Sequence, residues 1–278
     1  MEIIKPSIRP VRHINSQEIL VELETAARKC YKSEDKLTAE NAGNVVRQCI
    51  TSGHDSVIEH VQLSFDVVLD NGILREWTRH RIASYSVEST RYCNYGKRGM
   101  KFVEPLEFTG EDCIGRMHVW KDSCEMVEGA YNSLLNMGAQ PQDAREVLNF
   151  SVGCEMRFSA NLRSLRNLLR LRCAKEAHLH MRQLCIPMLL YLKIMVPVVF
   201  DDIPYDEGYV EKYYGGDTMK CIQDYVNPIP TLDDYTFIIK QLEYNAAVEA
   251  DKAITQAVSS LNSWATTIAD KKKESDDK

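Results

Sequence analysis

The sequence predicts an α+β fold, an antiparallel or mixed sheet flanked by long helices, with a partly helical C-terminal extension. Three observations predict it. Two segments, HVQLSFDVVLD and SVGCEMRFSAN, alternate apolar and polar residues as half-buried strands do. Several longer segments repeat their apolar residues at helical spacing. Strands and helices follow one another without βαβ regularity, and no internal repeat is present.

Residues 16–29 and 38–51 read as helices, the second closed by Gly53. The first alternating segment then places Val61, Leu63, Phe65, Val67 and Leu69 on one face. Asn71-Gly72 reads as a turn, and a short helix runs from Ile73 into Arg79-His80-Arg81. Over 112–137, Ile114, Met117, Trp120, Cys124, Val127, Tyr131 and Leu134 repeat at helical spacing and stop at Gly138. Pro141 suits the first turn of a new helix. The second alternating segment carries Val152, Cys154, Met156 and Phe158. Ser164 is the expected cap of a helix to about Arg172, and a longer helix, disturbed at Pro187, follows to about Ile194. Residues 200–236 are rich in Asp, Tyr, Gly and Pro and read as an irregular connection. Residues 237–268 read as helical, and 269–278 as a disordered tail. The organisation expected is a main domain over 1–199, an extension over 200–268 and the tail.

The chain has 278 residues, 44% hydrophobic and 27% charged, with a net charge of -6. That balance argues against nucleic acid or an anionic membrane as a general partner. Arginines are nonetheless grouped: Arg75, Arg79, Arg81, Arg91 and Arg98 in one region, and Arg145, Arg157, Arg163, Arg166, Arg170, Arg172 and Arg182 in another. Planar guanidinium forks on an acidic protein point to small anionic ligands, phosphates above all. The nine cysteines form no C-x-x-C pair, and the N-terminus lacks the apolar run of a signal peptide. These features place the chain in a reducing, cytoplasmic compartment. No metal site is expected: His54 and His60 are six apart, and His178 and His180 would face different sides of a helix.

Three segments carry the chemistry. RHRIASYSVESTRY collects Arg79, His80, Arg81, Ser89, Thr90 and Arg91; in extended chain Arg79 and Arg81 would face one way and His80 the other. NLRSLRNLLRLR sets Asn161 and Arg163 at a helix start, where unpaired amides favour anions, with Asn167 and Arg172 following along one side. SGHDSVIEH is a polar turn before the first strand. Taken singly, each also reads as a solvated charged surface or an ordinary turn.

Arg79-His80-Arg81, seven residues, then Ser89 resembles the RHR-x7-S signature of the flavin-dependent thymidylate synthases. GHDSVIEH is similar to the Gly-His-Glu…Glu-His segment of that family, QDAREVL to its Ala-Arg region and NLRSLRNLLRLR to its Asn-x-Arg-Ser-Leu-x-Asn-x4-Arg helix. The resemblance covers residue 20 to about 196. It implies methylation of dUMP to dTMP, with carbon from methylenetetrahydrofolate and reducing equivalents from NADPH through bound FAD. It also implies a homotetramer with shared active sites.

Carried onto this sequence, the resemblance places FAD contacts at Ser56, Arg79, His80, Arg81, Asn161, Arg163 and Asn167. It places dUMP contacts at Glu76, Arg79, Ser89, Thr90, Arg91, Arg145 and Arg172, and Glu88, as a displaced acid, is expected to join them. His54 would lie near the flavin, Arg172 would favour the uracil anion, and Ser89 would bind rather than attack. The open alternatives are a flavoenzyme of this build acting on another pyrimidine nucleotide or one-carbon unit, and a non-catalytic nucleotide-binding homologue. The chain departs from the family at Ser86-Val87, where Asn-Glu is usual and the acid is displaced to Glu88. It departs again at Glu76, where Gln is common. A carboxylate near a bound phosphate requires an arginine partner, expected to be Arg75 or Arg79.

Overall fold

The computed structural model describes residues 1–38, 42–227 and, singly, Ala250, Lys252, Ile254 and Gln256. In chain order the elements are β1 (Glu2–Ile4), β2 (Ser7–Pro10), α1 (Ser16–Lys29), α2 (Ala42–Thr51), β3 (Gln62–Asp70), α3 (Asn71–Trp77), β4 (Ser84–Val87), α4 (Tyr95–Arg98) and β5 (Lys101–Val103). They continue with α5 (Ile114–Asn136), α6 (Pro141–Ala144), β6 (Gly153–Asn161), α7 (Leu162–Arg172), α8 (Leu179–Met195), α9 (Pro197–Phe200), α10 (Glu207–Tyr214) and α11 (Thr218–Tyr225). These elements lie within one compact unit, Met1–Pro230.

The α+β expectation holds. The main sheet has the order β2-β3-β6-β4 with every neighbour antiparallel, and β1 pairs with β5 in a small parallel sheet. β3 and β6 are the two alternating segments, and they pair over their full length, Gln62 opposite Asn161 and Asp70 opposite Gly153. Directly opposed residues share a face. Leu63, Phe65, Val67 and Leu69 are therefore buried together with Cys154, Met156, Phe158 and Ala160. The other face carries Arg9, Asp66 and Arg157 in a row across three strands, with Arg157 Nε 2.7 Å from one Asp66 oxygen and Arg9 Nη2 2.9 Å from the other.

Three local expectations are corrected. Asn71-Gly72 does not turn the chain; it opens α3, because the Asp70 carboxylate accepts the Ile73 amide at 2.8 Å and so caps the helix. That helix ends at Trp77, short of the arginine-histidine triplet. The cap of α7 is Asn161, whose side chain accepts the Ser164 amide at 2.8 Å; Ser164 supplies the amide rather than the cap.

The stretch expected to be irregular contains α10, preceded by Asp206, and α11, capped by Asp217, which accepts the Lys220 amide at 2.9 Å. Tyr209, Val210, Cys221, Ile222 and Tyr225 are buried, Tyr225 receives a hydrogen bond from Gln183 at 2.9 Å, and Val226 bridges to Ile8. The helix expected over 237–268 and the tail over 269–278 lie outside the described residues, apart from helical Ala250, Lys252, Ile254 and Gln256. Pro187 sits inside α8, and Pro141 opens α6, as expected. No helix among the described residues is long and apolar enough to cross a membrane.

Phe158 links the sheet to the helix that leads into the arginine-rich loop: its ring meets Trp77 edge-on at 5.6 Å and Tyr85 at the same centroid distance. Phe158→Ala should lower unfolding free energy by about 3–5 kcal/mol, the usual range for a buried aromatic truncation. Urea denaturation measures this, and a loss under 1 kcal/mol would show that the contact is dispensable.

Candidate functional site

The Arg79-His80-Arg81 segment is not extended. Amides of Arg79 and His80 bond back to the carbonyls of Glu76 and Trp77, so the chain turns off the end of α3. Tyr85, at the start of β4, holds the turn by donating its hydroxyl to the His80 carbonyl at 2.6 Å and to that of Trp77 at 3.2 Å. Burial pushes the Tyr85 phenol up to about 12, so it remains a donor. Arg79 and Arg81 stay exposed and form no ion pair among the described residues. His80 turns inward instead.

There His80 meets Arg172, which ends α7. Arg172 Nε donates to His80 Nε2 at 3.0 Å, Nη1 to Glu76 Oε2 at 3.0 Å and Nη2 to the Glu76 carbonyl at 3.3 Å. One guanidinium thus ties the end of α7 to the last turn of α3, adding a side-chain donor to the Glu76 carbonyl that the Arg79 amide already reaches. Burial and the Arg172 cation hold His80 below the usual histidine pKa, so its ring is neutral and accepts at Nε2. The partner of Glu76 is Arg172, neither Arg75 nor Arg79; Arg75 lies over the Phe150 ring at 4.8 Å.

A second group joins the other half of the opening segment to the Ala-Arg region. Arg145 Nη1 donates to Thr90 Oγ1 at 3.3 Å, and Ser89 Oγ accepts the Arg91 amide at 3.3 Å, which shapes the turn after β4. Arg91 is exposed and lies over the Tyr92 ring at 5.4 Å. Glu88 continues the β4–β6 pairing: its amide donates to the Glu155 carbonyl at 2.8 Å and its carboxylate accepts the Glu155 amide at 3.3 Å. Glu88 also lines the cleft on the open face of the sheet, about 760 Å³, where Arg9, Asp66, Arg98 and Arg157 supply most of the charge.

The third group lies at the start of α7. Arg163 Nη1 is 2.5 Å from Glu59 Oε1 and Nε is 3.9 Å from Asp55, both on the short 3-10 turn Asp55–Glu59 that also carries exposed Ser56. His54 caps that turn's start and is exposed beside a cleft of about 260 Å³. Asn161 is engaged as the helix cap and Asn167 is exposed. Arg163 and Arg172 meet different partners, Glu59 at the start of α7 and Glu76 with His80 at its end, about one helix length apart.

Sequence reasoning missed one cluster entirely. His180 stands between Asp70 and Glu107, 3.3 Å from the first and 2.7 Å from the second. Its neighbour His178 caps α8 instead of lying within it, so the two rings touch edge to face at 5.0 Å between centroids rather than pointing apart. The sequence signal for it is Asp70, an acid at the end of an apolar strand and one residue before Asn71-Gly72.

The fold and these groups define an α+β protein with clustered arginines. The chain belongs to the thymidylate synthase complementing protein family, whose model matches residues 12–198. A flavin-dependent thymidylate synthase of Geobacter sulfurreducens is 30% identical over 199 residues, covering 69% of this chain and 84% of that protein. One from Mycolicibacterium vanbaalenii is 32% identical over 199 residues, covering 65% and 78%. The crystal structure of the UMP/dUMP methylase PolB from Streptomyces cacaoi bound with 5-Br dUMP shares the fold, with a TM-score of 0.62 at 20% identity over 72% of this chain and 96% of that one. The family is the one that Arg79-His80-Arg81 and Ser89 point to.

The neutral state of His80 gives a direct check. Ring nitrogen NMR should find His80 uncharged as pH falls through 6.5. Arg172→Ala should move its titration upward, though not fully to the ordinary value because burial remains. A His80 titration that ignores Arg172→Ala would mean the contact carries no electrostatic weight.

Proposed function

We propose that the protein methylates dUMP to dTMP, taking carbon from methylenetetrahydrofolate and reducing equivalents from NADPH through bound FAD. The observation that carries this reading is the Arg172 cluster. Three of the five guanidinium N–H groups are committed to His80 and Glu76, which leaves two donors on a rigidly held cation for a ligand. A fixed cation beside uracil N3 favours ionisation there and raises electron density toward C5, where the new bond must form. The relatives named above as flavin-dependent thymidylate synthases support the same reading.

A cysteine nucleophile at C6 is the other way to activate uracil, and the thiols disfavour it. Burial raises the thiols of Cys124, Cys154, Cys173, Cys185 and Cys221, for Cys185 even though the Arg172 cation opposes the shift, which makes each of these five a poor nucleophile. Ser89 has its hydroxyl engaged by the Arg91 amide, which suits a shaping and binding role.

FAD suits the free guanidinium groups of Arg79 and Arg81, since a pyrophosphate needs cations not already paired. Ser56, His80, Asn161, Arg163 and Asn167 complete the proposed flavin contacts, with His54 beside them. Arg163 would have to share or exchange its Glu59 pair. A bound flavin supplies the two electrons that bring the transferred carbon to the methyl level. Arg79, Glu76, Glu88, Ser89, Thr90, Arg91, Arg145 and Arg172 are the proposed dUMP contacts. Because α7 sends its two ends to different groups, we assign the complete site to several subunits of a homotetramer. In this reading residues 1–199 form the catalytic portion and 200–268 an extension.

Purified protein given dUMP, methylenetetrahydrofolate and NADPH should form dTMP. Conversion of dCMP instead would select a related flavoenzyme, and protein that never holds a flavin would select a non-catalytic homologue. Arg172→Ala should retain FAD and NADPH oxidation while dTMP formation falls about 10²- to 10³-fold, as for a lost oxyanion donor. Undiminished turnover in that variant would exclude Arg172 as the activating cation.

Alanine at both Arg79 and Arg81 should release the flavin, read from the absorbance of the desalted protein. Full flavin content in the double variant would move the cofactor elsewhere.

A further inference from the structure

Asp70, His180 and Glu107 meet where the end of β3, the first turn of α8 and the 3-10 turn Leu106–Phe108 come together. Nδ1 of His180 faces Asp70 Oδ2 at 3.3 Å and Nε2 faces Glu107 Oε2 at 2.7 Å. A neutral imidazole carries one N–H and cannot donate to two carboxylates, so this geometry calls for the imidazolium. Burial works against the charge, but hydrogen bonds to Asp70 and Glu107 and their negative charges outweigh it and push the pKa up to about 9. The hydrogen bond from His180 in turn holds the Glu107 carboxyl below its usual range. The other titratable or charged groups nearby are His178, touching the ring edge to face, and Arg75 and Glu76, which line the same cleft of about 350 Å³.

Asp70 has a second task. Its Oδ1 caps α3 through the Ile73 amide, and its side chain is only 10% exposed. α3 is seven residues long, and its last turn presents Glu76 to Arg172. A displacement at the cap is therefore carried through fewer than two helical turns to the arginine.

We propose that His180 is a positioning residue: clamped between Asp70 and Glu107, its imidazolium fixes the start of α3 and thereby the Glu76–Arg172–His80 cluster. The link to nucleotide binding rests on the proposed function above. His180 is charged more readily in the folded protein than near its unfolded value of about 6.5. The clamp is accordingly complete below pH 6.5 and is lost as pH rises through about 9.

The test is dUMP binding to flavin-loaded wild type, His180→Gln and Glu107→Gln between pH 7 and 10. Free dUMP also ionises at N3 in this range, which is common to every protein, so differences between proteins report the imidazolium and the arginine cluster that it positions. His180→Gln should keep FAD, bind dUMP about five- to tenfold more weakly at pH 7.5, and lack the additional loss of affinity centred near pH 9. Glu107→Gln removes one charge while keeping an acceptor, and should shift that midpoint downward; it decides the matter if His180→Gln fails to fold. Wild-type affinity and pH profile in the variants would overturn the proposal. A wild type that binds no dUMP at any pH would sink the nucleotide reading instead. The clamp would then stand or fall on exchange protection of the Ile73 amide, which should collapse near pH 9 in wild type.

Discussion

The antiparallel pairing of β3 with β6 is the constraint from which the candidate site follows. Each strand runs directly into a helix, β3 into α3 at Asp70 and β6 into α7 at Asn161, and the register sets these two exits at opposite ends of the ladder. Nine paired residues span about 27 Å. α7 contributes about 16 Å and α3 about 10 Å, so helices starting from opposite ends and directed toward each other close that distance. The Arg172 contacts to Glu76 and His80 are where they meet. A slip of one register position would turn every core residue to the open face, so register and site geometry are fixed by the same apolar pattern.

Both helix starts depend on a short acceptor side chain at the strand's last residue. Asp70 and Asn161 each end a strand, cap the following helix and leave no loop between. This leaves little slack between sheet and site. It also explains why two residues of interest have double duties: Asn161 is a proposed flavin contact that already serves as a cap, and Asp70 joins a cap to an ion pair with His180. The arginine pairs differ in kind. Arg166, buried, binds Asp202 at 2.6 Å and secures α7 against the chain after α9, whereas Arg79 and Arg81 remain exposed to solvent. A buried guanidinium without a partner would be costly, while an exposed one without a partner is free to meet an anion.

The departures from the family pattern find different structural settings. Glu76 is absorbed by Arg172, so its charge does not stand alone beside an incoming phosphate. Glu88 extends a strand pairing and lines the open-face cleft; burial raises the neighbouring Tyr95 and Cys154, and the Glu88 charge adds to it. For Val87 in the place of an acid, nothing in the structure offers a reason.

What the sequence determined by itself was the alternation of Leu63 to Leu69 and Cys154 to Phe158, the long helices and the family marked by Arg79-His80-Arg81 and Ser89. Those signals are local or contiguous, because side-chain periodicity and short motifs need no knowledge of partners. Tertiary structure alone decided that Glu76 pairs with Arg172, that His80 is neutral and turned inward, and that His180 lies between Asp70 and Glu107. Each of those joins residues dozens of positions apart, and pairing at such separation is set by the strand register and helix lengths, which composition and spacing do not encode. The misread turn at Asn71-Gly72 and the unforeseen α10 and α11 share that cause. Aspartate caps start α3 and α11, α11 packs against α8 and α10 packs against α11, over a local composition that favours turns.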